Sequence, residues 1–217
     1  MRTISPSLLS ADFTDIRNQL SQLQALGIDR LHLDVMDGHF VPNLTFGPFI
    51  ISQLRSITNL HLETHLMISQ PEKYIQEYID AGSDTLIFHY EATKMTRKCL
   101  EEIKSKGIKC GLSIKPETSH EVLGEYLDIL DYVLIMSVSP GFGGQGFIEG
   151  TLSKMKLIHE MCIDNNCRDS IKLGVDGGVN LNTINKVYET GIDITIIGSG
   201  LFKADNIVNR YKELMVE

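Results

Sequence analysis

The sequence predicts an α/β fold, a single-domain (β/α)8 or TIM barrel over residues 1–217. Three observations carry that expectation. Short apolar runs alternate with longer amphipathic ones about eight times in roughly 200 residues. Glycine or aspartate turns separate the runs. No Pro/Gly/Ser-rich linker, low-complexity tract or internal repeat of about 20–50 residues divides the chain. An open doubly wound sheet shares this alternation, because periodicity by itself cannot close a barrel.

Strands are expected over residues 3–9, 30–36, 60–67, 85–89, 109–114, 132–137, 171–176 and 192–197, all short and bounded by turn residues. Helical patterns are expected over 13–26, 71–81, 94–106, 120–130, 148–165, 181–190 and 204–216. Pro71 and Glu72 after Gln70 suit a first helical turn, and Gly27, Gly82, Gly107 and Gly191 stand where helix C-terminal glycines belong.

Composition narrows the function classes. A formal net charge of −8, without a lysine or arginine run, argues against nucleic acid or an anionic membrane as partner. No segment approaches the roughly 18 apolar residues of a membrane span. The first residues lack the apolar stretch of a secretory signal and meet Asp12 early, so a cytoplasmic location is expected. Cys99, Cys110, Cys162 and Cys167 form no Cys-x-x-Cys pair and are expected to be reduced thiols.

One strand is chemically unlike the others. In Leu31-His32-Leu33-Asp34-Val35-Met36, alternation puts His32, Asp34 and Met36 on one face and the aliphatic residues on the other. A buried imidazole and carboxylate need hydrogen bonds, a counter-charge or a metal. In a (β/α)8 barrel the active end is the carboxyl end of the strands. Polar residues late in strands are therefore collected: His32 and Asp34 from the second, His65 from the third and Asp176 from the seventh. If all point inward, two imidazoles and two carboxylates converge, a donor set that suits zinc, iron(II), cobalt or manganese. Singly, each has an ordinary explanation, since a strand histidine is commonly a satisfied core residue and an aspartate before two glycines a turn former. Together, without a common partner, their desolvation cost compounds. Asp37, of opposite strand parity and before Gly38, reads as a turn residue or a support behind the ligands, and His39 as a loop residue. His61, His89, His120 and His159 carry no constellation, the last two looking like helix-surface positions.

Glycine-rich loops follow the last three strands: Gly141-Phe142-Gly143-Gly144, Gly177-Gly178 and Gly198-Ser199-Gly200. Backbone N–H groups in such loops approach anions closely, and the loops after strands seven and eight are a common barrel phosphate site. A phosphorylated small molecule is the expected ligand, although glycine at such a turn is often only a tight bend. No Gly-x-x-x-x-Gly-Lys-Ser/Thr motif points to a nucleotide triphosphatase.

These motifs resemble the ribulose-phosphate 3-epimerase family nearly end to end. The resemblance rests on Ser5-Pro6-Ser7-Leu8-Leu9-Ser10-Ala11-Asp12-Phe13, Leu31 through Asn43, His65-Leu66-Met67, Met136-Ser137-Val138, Pro140-Gly141-Phe142-Gly143-Gly144-Gln145, Val175-Asp176-Gly177-Gly178-Val179 and Gly198-Ser199. It implies a TIM barrel of the ribulose-phosphate-binding type that interconverts D-ribulose 5-phosphate and D-xylulose 5-phosphate in the pentose phosphate pathway. It implies one divalent metal ion per subunit on His32, Asp34, His65 and Asp176, with Asp34 and Asp176 as acid–base pair. Ser7 and His65 become substrate contacts, and Gly141, Phe142, Gly143, Gly144, Asp176, Gly177, Gly178, Gly198 and Ser199 hold substrate and phosphate. Met36, Met67 and Met136, which fall near strand ends, become an apolar cover over the reacting sugar; methionine there is also common filler. A homo-oligomer is expected.

The chemistry agrees: epimerising a carbon beside a ketone needs two groups of similar basicity flanking it. One position departs from the family, Glu63 standing where relatives usually carry aspartate, which puts metal preference in question. A D-allulose-6-phosphate 3-epimerase is the nearest alternative. A related decarboxylase or aldolase would show Asp-x-Lys-x-x-Asp where this chain reads Asp34-Val35-Met36-Asp37. A barrel metallohydrolase would favour His-x-His where it reads Ser5-Pro6-Ser7, and a catalytically silent sugar-phosphate binder would keep the ligands.

Overall fold

The computed structural model describes residues 2–215. Eight parallel strands, β1 (Thr3–Pro6), β2 (Arg30–Met36), β3 (His61–Met67), β4 (Thr85–His89), β5 (Lys109–Ile114), β6 (Tyr132–Met136), β7 (Lys172–Asp176) and β8 (Ile194–Ile197), form one sheet. Its order, β1-β8-β7-β6-β5-β4-β3-β2, is that of a barrel laid flat. Just beyond β1, a parallel bridge between Ser7 and His32 joins the two ends. The open-sheet alternative is thereby set aside.

The helices are α1 (Ile16–Ala25), α2 (Pro48–Arg55), α3 (Ile75–Asp80), α4 (Thr96–Ser105), α5 (Thr151–Asp164), α6 (Ile184–Tyr188), α7 (Ser199–Phe202) and α8 (Ile207–Met215). Four elements depart from expectation. Residues 120–130 form a 3-10 turn over His120–Tyr126 rather than an α-helix, with Gly124 interrupting the run. Pro71 opens a 3-10 turn, not the helix; Gln70 before it is left-handed at φ 54°, and α3 starts only at Ile75. α2 was not expected, although Pro48 directly after Gly47 is a helix-start signal. The helix expected over 204–216 starts only at Ile207 as α8, the short α7 forms on the Gly198-Ser199-Gly200 stretch read as a loop, and Val216 lies outside the described residues.

Alternation along the strands separates two cores. Outward residues such as Leu31, Leu33, Leu86, Phe88, Leu112, Val133 and Val175 pack with the helices and are sealed from solvent. A separate cluster of Ile87, Tyr132, Leu134, Ile194 and Ile196 plugs the lumen. Its packing requires glycine beside it: a Cβ at Gly174 would lie 2.1 Å from the Tyr132 hydroxyl, and one at Gly111 2.8 Å from Ile87. The plug forms an apolar floor, so chemistry is confined to the carboxyl ends of the strands above it.

Phe88→Ala, which empties a fully buried outward position on β4, is expected to destabilise the protein by about 3–5 kcal/mol in urea unfolding.

Candidate active site

β2 and β3 are neighbours with Asp34 directly opposite His65, and β7 brings Asp176 into the same lumen. Asp34 Oδ1 stands 3.3 Å from His32 Nε2 and 3.2 Å from His65 Nδ1. The two imidazole nitrogens are 3.3 Å apart, and Asp176 Oδ2 lies 3.9 Å from His65 Nδ1. One donor atom from each of the four residues falls within 4.8 Å of all the others. Donors at about 2.0–2.2 Å around a tetrahedral divalent ion stand about 3.3–3.6 Å apart, so the cluster fits such an ion with little rearrangement. The other Asp34 oxygen, Oδ2, accepts the Ser7 hydroxyl at 2.6 Å. Ser7 thus both closes the barrel and orients the carboxylate.

The cluster needs positive charge. Burial opposes a charged His32, yet the Asp34 carboxylate, helped by Glu63 and Asp176, pushes its pKa up to about 10. Burial is also the largest influence on Asp34, but His32 and then His65 hold it well below the usual carboxylate range. Asp176 moves the other way: burial first, then repulsion from Asp34, push it up to about 7. His65 is pushed down to about 3 by burial, against the pull of Asp34. Two carboxylates in one site are driven to opposite acidities, the usual mark of an acid–base pair.

Each histidine is supported from behind. His32 Nδ1 is buried without a hydrogen-bond partner, 3.7 Å from Glu63 Oε2. Glu63 in turn accepts the Ser5 hydroxyl at 2.7 Å and the Arg30 guanidinium at 2.8 Å. The unusual glutamate therefore backs a ligand instead of joining the cluster. His65 Nε2 meets His89 Nε2 at 2.9 Å. Asp37 accepts the N–H groups of His39, Phe40 and Ser69, as a turn residue should, and His39 is exposed.

A cavity of about 210 Å³ opens over the cluster. Asp34, Asp176 and Ser7 form part of its wall, with Met36, Met67 and Met136, each at most 5% exposed. The wall also includes Gly141, Phe142, Gly143, Gly144, Gly177, Gly178, Gly198 and Ser199. Gly178 cannot be replaced freely: φ is 68°, and a Cβ would meet the Phe147 backbone nitrogen at 2.5 Å. Asn43 donates to the Gly141 carbonyl at 2.7 Å, tying the loop after β2 to the loop after β6.

A model of the ribulose-phosphate 3 epimerase family matches residues 3–202. The chain belongs to the ribulose-phosphate 3-epimerase family. It is 42% identical over 202 residues to the ribulose-phosphate 3-epimerase of Bacillus subtilis, covering 93% of each chain. It is 42% identical over 200 residues to that of Treponema pallidum (92% of this chain, 91% of the other). It is 40% identical over 211 residues to the chloroplastic ribulose-5-phosphate-3-epimerase of Arabidopsis thaliana (96% and 74%). The barrel also superposes on 3-keto-L-gulonate-6-phosphate decarboxylase from Vibrio cholerae (TM-score 0.71, 17% identity, 98% of this chain, 96% of the other). A tryptophan synthase α-subunit mutant from Pyrococcus furiosus superposes at TM-score 0.73 with 15% identity (98% and 97%). At such identities these two speak for the fold alone.

Of the residues singled out in this family member's sequence, the cavity wall takes in all but His32 and His65, which lie fully buried behind it. Sequence reasoning missed Ser10 and Asn180, which also line the cavity, and His89, set aside as carrying no constellation. His89 ends β4, so the rule that selected His65 and Asp176, polar residues late in a strand, selects it too. His159 is likewise not a free surface residue: it accepts from Arg168 at 2.9 Å.

Arg30→Met leaves Glu63, whose side chain is 1% exposed, without its cation; a loss of about 3 kcal/mol is expected in chemical denaturation, as for breaking a buried pair. Glu91 resists burial through bonds from His89, Lys115 and Thr118 that pull its pKa from 4.5 to about 2. A carboxyl that is a stronger acid folded than unfolded stabilises above its unfolded value, and the contribution fades as pH falls through the folded one. The melting temperature is expected to fall between pH 4.5 and 2, and Glu91→Gln to flatten that part of the profile.

Proposed function

We propose that the protein interconverts D-ribulose 5-phosphate and D-xylulose 5-phosphate by proton transfer at C3 through an enediolate, with Asp34 and Asp176 as the two acid–base groups. The observation that carries this is the pair itself: two carboxylates from different strands, both in the cavity wall, sharing one cluster yet driven apart in acidity. One group must take the proton from one face of the carbon and the other return a proton to the opposite face. An ionised Asp34 beside an Asp176 near neutrality offers one base and one acid, and the roles exchange for the reverse reaction. The names of the relatives supply the substrate.

His32, Asp34, His65 and Asp176 would hold one divalent ion, with zinc, iron(II), cobalt or manganese suiting the donors. When bound, such an ion supplies Lewis-acid stabilisation of charge developing on the substrate oxygens. Ser7 holds Asp34 by Oδ2 and stands beside it in the cavity wall. Met36, Met67 and Met136 exclude water from the reacting carbons, and the glycine loops offer backbone N–H groups to the phosphate. Four free cysteines support a reducing, cytoplasmic setting. A homo-oligomer would cover exposed apolar side chains such as Leu44 and Phe49, 73% and 72% accessible. Among the described residues no helix is long and apolar enough to cross a membrane.

Asp34→Asn and Asp176→Asn are each expected to lower turnover at least about 10²-fold, as for loss of a general base. In D₂O the wild-type protein, supplied with divalent metal, is expected to wash deuterium into C3 of ribulose 5-phosphate; unlabelled sugar after prolonged incubation would sink the reading. A parallel run with D-allulose 6-phosphate, compared by kcat/KM, decides the sugar length.

A further inference from the structure

We propose that His89 and Glu91 are positioning residues that fix which nitrogen of His65 carries the proton, and so keep His65 Nδ1 free to bind a divalent cation. The proposal rests on the metal reading above. Nδ1 of His65 faces the cluster, 3.2 Å from Asp34 Oδ1 and 3.3 Å from His32 Nε2. Its other nitrogen faces away, 2.9 Å from His89 Nε2. The ring centroids of His65 and His89 are 5.0 Å apart, so with nitrogens this close the rings meet edge to edge, sharing one hydrogen. Which ring donates it is decided one step further back.

His89 Nδ1 lies 3.2 Å from Glu91 Oε2. The second oxygen, Oε1, accepts the Lys115 N–H at 2.9 Å and the Thr118 hydroxyl. Lys154 fixes that loop by donating to the carbonyls of Lys115, Pro116 and Thr118. His89 itself is fully buried, with the Phe40 ring centroid 4.9 Å from its own. A carboxylate only accepts, so the proton of a neutral His89 sits on Nδ1 and its Nε2 is bare. His65 is then drawn to donate from Nε2; Asp34 Oδ1 at 3.2 Å would otherwise draw that proton to Nδ1, but His32 Nε2 at 3.3 Å serves this oxygen, so Nδ1 is left bare, as a metal-binding imidazole needs. The order of protons is thus determined from Glu91 to the cluster.

Glu91→Gln is the discriminating substitution because it keeps shape and reverses polarity. The Lys115 N–H cannot turn round, so it retains the amide oxygen and directs the amide NH₂ at His89 Nδ1. His89 is then protonated on Nε2, His65 must accept there, and its proton moves to Nδ1, where it blocks the metal. The test has two readouts. ¹⁵N-detected imidazole NMR of the wild-type apoprotein is expected to find His89 protonated on Nδ1 and His65 on Nε2, with both reversed in E91Q. Competition of Zn²⁺ against a chromophoric chelator is expected to show about 10–100-fold weaker binding by E91Q, with far-UV circular dichroism confirming the fold. Wild-type protein with His89 protonated on Nε2 overturns the proposal whether or not the variant folds. Equal zinc affinity in folded E91Q and wild type overturns it while leaving the metal reading intact. Failure of the wild type to bind zinc overturns both.

Discussion

Everything at the mouth of this barrel follows from one electrostatic constraint. Two carboxylates and two imidazoles are held with their donor atoms within 4.8 Å of one another, three of the residues buried and Asp176 only partly exposed. Such a cluster is stable only if it captures positive charge. In the protein alone, a protonated His32 answers that need, wedged against Asp34. A divalent cation would answer it better, because it can satisfy all four donors at once where a proton on His32 serves mainly one.

The barrel makes this arrangement possible by dividing its lumen. Below the cluster, Ile87, Tyr132, Leu134, Ile194 and Ile196 exclude water and form a floor, and the glycines of β5 and β7 leave space for it. Above it, the glycine-rich loops after β6, β7 and β8 enclose the cavity. The donors themselves stand on strands paired in register, which fixes their separations more firmly than loops would. Ser7 serves both purposes, joining β1 to β2 and holding Asp34. Barrel closure and orientation of the reactive carboxylate are therefore one structural event.

Much of this was legible in the sequence, and the exceptions have physical reasons. Strand parity places His32 with Asp34 because side-chain direction in a strand is local. The strand-end rule collects His65 and Asp176 because a parallel barrel puts all carboxyl ends on one face. The count of βα units and the family resemblance point to a closed barrel, but periodicity cannot show what closes it, the Ser7–His32 bridge between segments 25 residues apart. His89 ends β4 and so meets the same strand-end rule, but its partner, His65 on the neighbouring strand β3, lies 24 residues away in the chain, and only the fold brings the two rings together. The role of Glu63 likewise depends on distant segments, for its carboxylate is held by Arg30 and Ser5 behind His32. Helices were least legible where short: α2 spans eight residues, and the 120–126 segment follows 3-10 hydrogen bonding.

The central claim is that His32, Asp34, His65 and Asp176 form a site for one divalent ion. Titrating the apoprotein with Co²⁺ while following ligand-field absorption and melting temperature tests it directly. The account predicts saturation at one equivalent per chain, with a rise in melting temperature corresponding to about 2.7 kcal/mol at a free ion concentration 100 times Kd. Absorption that does not saturate, with a melting temperature that stays put, would contradict it.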